Sequence, residues 1–457
     1  MEEIQNLEHD KISKLVLRFS LPAIIGMLVM ASYNIVDRIF VGRGVGALAI
    51  SGIAVTFPLI IIFMGFGMLV GIGSSALISI RLGQKKIDEA EKIIANSFLL
   101  SLIIGSCMTI LGFIFMRPML TLFGASAEVL PYAESYTGVL LFGTIFQSLG
   151  FSLNNTIRGQ GKPKIAMLTI ASSAVLNAIL NPIFIFGLHF GIKGSALATV
   201  LAQFITAFLV LGFYFSKHSI IKIRLHNLKL KKEYILGIFS IGVSPFAMQI
   251  ASSAIIMIFN RELAYYGGDL AIAAMGIGFA INGLFMMPII GINQGIQPII
   301  GYNFGAQHFH RVKETLKIGL TAATSISLLG FITVMFFSNQ IISIFCNNNQ
   351  QLMHIGSHGL RIVLLMFPLL GLQMIGTSYF MAVGKAKQSI ILTLSRQVIL
   401  LIPLLLILPK FFNLDGIWMS QPISDILSAT LVTIFLLHEL KHLNEKQLQK
   451  DAVLVLD

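Results

Sequence analysis

The chain repeats itself in parallel, at a spacing of about 222 residues. Phe19-Ser20-Leu21-Pro22 is answered by Gly242-Val243-Ser244-Pro245, and Asp37-Arg38 by Asn260-Arg261. Arg81-Leu82-Gly83-Gln84 is answered by Asn303-Phe304-Gly305-Ala306, Gly161-Lys162 by Gly384-Lys385, and Gly191-Ile192-Lys193-Gly194 by Asn413-Leu414-Asp415-Gly416. The register slips by no more than a residue or two across almost a whole half. A duplicated module of this length restricts the chain to two pseudo-equivalent lobes. When the module is apolar and helical, the pattern is that of a transporter whose binding site lies between or within them.

The module is apolar. Only 11% of residues are charged and 56% are hydrophobic, against about 25% charged in a soluble domain. The charges cluster, so residues 44–80, 93–116, 135–157, 165–192, 194–216, 234–260, 270–307 and 362–384 carry no Asp, Glu, Lys or Arg. Each run is long enough for a crossing of about 20 residues. The polar N-terminus has no signal-peptide pattern, so the first apolar segment reads as a retained helix. A net charge of +12 would suit a nucleic-acid binder, but the placement of the charges argues against one. Lys and Arg gather at 81–92, 158–164, 217–232, 311–317 and 385–387, while the alternate loops hold single charges such as Arg43, Arg117, Lys193 and Lys410. That asymmetry puts both termini and the basic loops on the cytoplasmic side of a plasma (inner) membrane.

The expected fold is all-α: a polytopic membrane protein with twelve transmembrane helices in two pseudo-symmetric six-helix lobes. The helices fall near 15–37, 50–79, 93–116, 134–157, 165–187, 194–215, 236–262, 271–302, 317–337, 356–381, 389–409 and 417–438. The domains are then 1–216, a cytoplasmic linker 217–235, 236–440, and a tail 441–457. In the linker, Ile221-Lys222-Ile223-Arg224-Leu225-His226 alternates apolar with basic, as an extended strap at the lipid headgroups would; a solvated linker is the alternative. Helices 2 and 8 are rich in glycine (Gly65, Gly67, Gly71, Gly73; Gly276, Gly278, Gly283, Gly291, Gly295), which permits close helix contact and local bending. Prolines at 22, 58, 182, 245, 288, 298, 368 and 403 read either as moving parts or as static kinks. Cys107 and Cys346 form no metal spacing and are not expected to pair.

Several strings resemble a known family. Gly291-Ile292-Asn293-Gln294-Gly295-Ile296-Gln297-Pro298-Ile299-Ile300-Gly301-Tyr302-Asn303-Phe304-Gly305-Ala306 is similar to the helix 8 signature of MATE (multidrug and toxic compound extrusion) transporters. Arg158-Gly159-Gln160-Gly161-Lys162-Pro163 and Val383-Gly384-Lys385 are similar to its loop motif, and Leu394-Ser395-Arg396-Gln397 to bacterial members. Details point to the prokaryotic DinF-like and MepA-like branch. The resemblance implies two lobes in a V around a central cavity. It implies export of bulky, often cationic, amphipathic compounds against inward flow of H⁺ or Na⁺, with no cofactor.

Asp37 is the leading coupling candidate. It ends the first apolar stretch, with Tyr33 and Asn34 at helical spacing before it, and a carboxylate at membrane depth costs about 2.5–3.5 kcal/mol when ionised on insertion scales. It would exchange a proton or ligate Na⁺; the alternative is an interfacial Asp paired with Arg38. Asn177 and Asn181 share a helix face before Pro182, with Thr199 in the next helix. The resemblance implies that these residues join Asp37 in one polar cluster. Where the family pattern has a second Asp this chain has Asn181, so a relay of two carboxylates is not expected, and interhelical hydrogen bonding is the alternative role for both Asn residues. Asn260 replaces the matching carboxylate in the second half, so coupling is expected to be concentrated in the first lobe. Pro22 and Gly26 are the expected hinge. Arg396 and Asp425 are expected to form a structural pair.

For the cargo, 20 Met and 35 Phe supply adaptable apolar and cation-attracting surface; Tyr136, Gln294, Gln297, Met286, Met287 and Tyr302 are the cavity candidates. The expected partners are a small amphipathic substrate and membrane lipids, with no nucleic acid and a monomeric chain. Enzyme chemistry is not expected, because His308/His310 and His354/His358 fall in loops or at helix ends, the latter pair at i,i+4 spacing without the acidic residue of a zinc-helix motif, and no metal site is expected. A lipid or lipid-linked saccharide flippase is the alternative transport function. It would be expected to carry more intramembrane arginines than Arg38, Arg361 and Arg396.

Overall fold

In a bilayer the backbone has no water to bond, so apolar runs satisfy their own amides by coiling. A computed structural model describes residues 7–343 and 350–454, excluding the side chains of Tyr33, Asn34, Ile35, Arg38, Ala47, Asp269 and residues 450–454. The expectations for Tyr33, Asn34, Arg38 and Cys346 therefore lie outside the described residues. Every regular element among the described residues is helical. The first half gives α1 (Ile12–Gly44), α2 (Ala47–Gly83), α3 (Ile87–Leu122), α4 (Leu130–Gly159), α5 (Pro163–Gly187) and α6 (Gly191–Phe215). The second gives α7 (Lys232–Gly268), α8 (Leu270–Gly305), α9 (Phe309–Ser343), α10 (Gln350–Val363 with Phe367–Ala382, bent by 40°), α11 (Ala386–Ile407) and α12 (Pro409–Gln449). Among the described residues eleven are long and apolar enough to cross a membrane alone, and the bent α10, taken as one span, makes twelve. The chain is a multi-pass membrane protein.

The duplication is written into the backbone torsions. Positive φ occurs at Gly46 and Gly268, Lys85 and Gln307, Gly161 and Gly384, and Gly191 and Asn413, each pair at the repeat spacing. At Gly161 (φ 90) and Gly384 (φ 76) a side chain would be strained, so the Gly-Lys of the loop motif is a turn. Lys162 and Lys385 then cap α5 and α11.

Contacts divide the chain into two compact units, and the division does not fall at the linker. Unit 1 holds Ile25–Gln249, and unit 2 holds Asp10–Ile24 with Ile250 onward. The opening of α1 is thus grouped with the second half and the opening of α7 with the first. The glycines of α2 and α8 account for this. A methyl group on Gly73 would lie 2.1 Å from the Ile238 carbonyl oxygen, and one on Gly242 would lie 1.8 Å from that of Leu69, so α2 and α7 meet backbone to backbone inside unit 1. In unit 2, a methyl on Gly291 would lie 2.5 Å from the Ile24 side chain, and one on Gly295 would lie 2.4 Å from Ser20 Oγ. Small residues allow this approach, as between membrane helices generally. α1 runs as a continuous helix through Pro22 and Gly26, and the change of unit falls between them, at Ile24–Ile25.

The linker is strapped onto unit 1. Ile221 and Ile223 are buried while Lys222 and Arg224 are exposed, so the alternation seen in the sequence is an extended segment with one face covered. Buried Glu91 of α3 holds it, pairing with Arg224 Nε at 2.8 Å and accepting from the Lys222 backbone N–H at 3.3 Å. Asn96 accepts from the Lys231 N–H at 2.9 Å.

Candidate functional site

In unit 1 a line of polar side chains runs across three helices. Asn177 and Asn181 stand one turn apart on α5, and both are buried. Pro182 follows and has no N–H to return to the carbonyl one turn back. The helix widens there into a π-turn, Ile183–Gly187, a feature common at functional positions. On α6, Ser195 and Thr199 are likewise one turn apart and face the same way.

Asp37, 6% exposed, is where these helices converge. Its Oδ1 accepts hydrogen bonds from Asn181 Nδ2 at 2.7 Å and from Ser195 Oγ at 2.9 Å. Asn181 Nδ2 also donates to Asn177 Oδ1 at 2.6 Å, and Asn177 Nδ2 donates to Thr199 Oγ1 at 3.2 Å. The expected four residues are thus brought into one hydrogen-bonded chain, and Ser195 joins them unforeseen. Its place one turn before Thr199 was the available signal. Asn181 Oδ1 is sealed from the surface and has no partner among the described residues. A buried oxygen left without a donor costs about 1–3 kcal/mol. The line thus combines carboxylate, amide and hydroxyl oxygens, the hard donors that small cations prefer. An apolar packing of Val41, Ala49, Ile53, Ile185, Ile192, Ala196 and Tyr136 is built from the same helices with α2 and α4.

The remaining candidates are more dispersed. Tyr136, 4% exposed, is part of that apolar packing, and Tyr302, 1% exposed, is buried in unit 2; neither ring offers a surface to a cargo in this conformation, since burial is decided by distant helices that spacing does not reveal. Gln294, Gln297, Met286 and Met287 are half-buried on α8. Asn260, the counterpart of Asp37, is exposed. Arg396 Nε donates to Asp425 Oδ1 at 3.0 Å, so the expected pair forms. No group of three or more His, Cys, Asp or Glu able to hold a metal occurs among the described residues.

A duplicated bundle of membrane-spanning helices with a buried carboxylate held by amides and a hydroxyl has clear counterparts. The MatE family profile matches residues 22–183 and again 245–407, once per repeat. The multidrug export protein MepA of Staphylococcus haemolyticus is 29% identical over 441 residues, covering 96% of both chains. MepA of Staphylococcus aureus is 28% identical, covering 96% of this chain and 97% of its own. A solved MOP superfamily transporter from Pyrococcus furiosus superposes with a TM-score of 0.91 at 25% identity, covering 97% of this chain and 99% of its own. A multidrug resistance MATE transporter solved in an outward-facing conformation gives 0.90 at 25% identity, with 97% and 99% covered. These relatives are transporters rather than enzymes. Two profile matches, one in each repeat and together spanning most of the sequence, establish that this chain belongs to the MATE family of multidrug efflux transporters.

Proposed function

We propose that the protein is a secondary antiporter. It exports amphipathic, often cationic, compounds in exchange for H⁺ or Na⁺ by alternating access. The observation that carries this reading is the convergence of Asn181 and Ser195 on one oxygen of buried Asp37, continued to Asn177 and Thr199. An intramembrane carboxylate is functional by default. In unit 1 its neighbours are amides and hydroxyls that can serve either the ion-loaded or the ion-free state.

Loading Asp37 changes the donors and acceptors that hold α1 to α5 and α6. The reading takes Pro22 and Gly26 as the hinge that converts this local change into a change of access. Basic loops at 81–92, 158–164, 217–232, 311–317 and 385–387 support a plasma-membrane location with both termini cytoplasmic. The export reading takes the chain as a monomer among membrane lipids, with Met and Phe surface receiving the cargo.

The test is dye efflux from everted vesicles under separately imposed pH and Na⁺ gradients, with Asp37→Asn alongside. The wild-type chain is expected to respond to one gradient, and the variant to neither. Ion-driven efflux retained by Asp37→Asn would remove Asp37 from the mechanism.

A further inference from the structure

A guanidinium within an apolar helix is expensive unless both its charge and its donors are met. In unit 2, Arg396 has its charge met but not its donors. Nε donates to Asp425 Oδ1 at 3.0 Å, its one side-chain contact among the described residues. The Nη1 and Nη2 groups donate to no described residue, and neither is sealed from the surface. The Arg396 side chain keeps 21% of its surface, while Asp425 keeps 6%.

A pair that served only to clamp two helices would use the parallel two-donor fork that guanidinium and carboxylate geometry favours. Asp425 takes the inner nitrogen alone. Its two oxygens each lie 3.4 Å from Gln421 Nε2, and its backbone carbonyl accepts from Gln373 Nε2 at 2.5 Å. Ser424 Oγ donates to the Arg396 carbonyl at 2.9 Å. Both partners are therefore held from behind while the guanidinium fork stays open. Gln397, next in the chain, uses its Oε1 to accept from Ser252 Oγ at 3.3 Å, and its Nε2 donates to no described residue. Both residues lie on a π-helical stretch, Ser395–Leu401, the kind of widening found at binding positions.

We propose that Arg396, backed by Asp425 and joined by the Gln397 amide, binds an oxyanion on an amphipathic molecule: the carboxylate of a zwitterionic cargo or the phosphate of a lipid. The inference rests on the export reading and narrows its substrate class, adding an anion-recognising group in unit 2 to the acidic one in unit 1. Asp425 balances the guanidinium when no ligand is present. The open fork supplies the two-pronged grip that a carboxylate or phosphate takes from arginine.

The test compares rhodamine B, a cation with a free carboxylate, with its ethyl ester, the cation alone. Equilibrium binding to the full chain in phosphatidylcholine nanodiscs is followed by fluorescence anisotropy. Arg396→Gln is expected to weaken rhodamine B about tenfold or more, as loss of a charge-assisted contact does, and to leave the ester unchanged. Arg396→Lys is expected to retain part of the preference. Asp425→Asn is expected to tighten rhodamine B, because it removes a competing carboxylate, whereas a mere clamp would lose both dyes. Added phosphatidylglycerol separates the sources: competition seen in wild type and lost in Arg396→Gln assigns the oxyanion to lipid, and no competition assigns it to cargo. Equal losses of both dyes in Arg396→Gln and in Asp425→Asn would overturn the anion site and leave export standing. A wild-type chain that binds neither dye would overturn the anion site, and the Asp37→Asn efflux assay reads export separately.

Discussion

Replacing Ser195 with alanine removes one of the two described donors to Asp37 Oδ1. The hydroxyl lies 2.9 Å from that oxygen, and the Asn181 amide, 2.7 Å away, stays in place. A hydrogen bond to an ionised group contributes about 1.5–3 kcal/mol, and ~1.4 kcal/mol is a factor of ten in an equilibrium. Ser195→Ala is therefore expected to shift the driving-ion concentration for half-maximal efflux by about tenfold to a hundredfold. Ser195 is fully buried at the carboxylate, so the cargo KM should stay within a factor of two. The assay uses the purified chain in liposomes, with H⁺ and Na⁺ gradients imposed one at a time and the ion titrated at saturating dye. Ser195→Thr keeps a hydroxyl at the same carbon and should restore most of the wild-type response. An unchanged ion dependence, or a change in cargo KM as large as the change in ion dependence, would refute the assignment of Ser195 to the coupling carboxylate.

The packing gives further tests. Gly242→Ala puts a methyl 1.8 Å from the Leu69 carbonyl oxygen and forces α2 and α7 apart, whereas Gly276→Ala meets nothing within 4 Å. Overpacking typically costs about 1–3 kcal/mol, so thermal unfolding in detergent should fall by several degrees for the first and stay unchanged for the second. Glu91→Gln removes the charge that holds Arg224 and weakens the bond to the Lys222 N–H. Trypsin cleavage between Lys217 and Lys232 should become several-fold faster, and an unchanged rate would mean that the strap is held without Glu91.

Much of the fold was legible because charge is so scarce in this chain. Each helix is bounded by the clustered Lys and Arg residues, and the repeat predicted which turns would match, down to Gly161 and Gly384. The polar line was legible in part. Helical spacing aligns Asn177 with Asn181, and the family resemblance joins them to Thr199 and Asp37. Ser195 was passed over because a serine in an apolar helix is ordinarily satisfied by its own backbone. Burial was not legible: Tyr136 and Tyr302 stand near polar signatures in the sequence, yet the helices that cover them are remote in the chain. The division into units was hidden for the same reason. A glycine announces close approach but not its partner, and only the structure pairs Gly73 with Ile238 and Gly295 with Ser20.

The regrouping of the openings of α1 and α7 has a consequence for how such a chain is made. Neither repeat is self-sufficient: a fragment ending at Phe215 would leave the glycine ridge of α2 without Ile238 and Gly242, and the complementary fragment would leave Gly291 and Gly295 without Ser20 and Ile24. The opening segment of each repeat is packed in the unit formed mainly by the other repeat. Fragments split in the 216–231 connection should accumulate when co-expressed and be degraded when made singly.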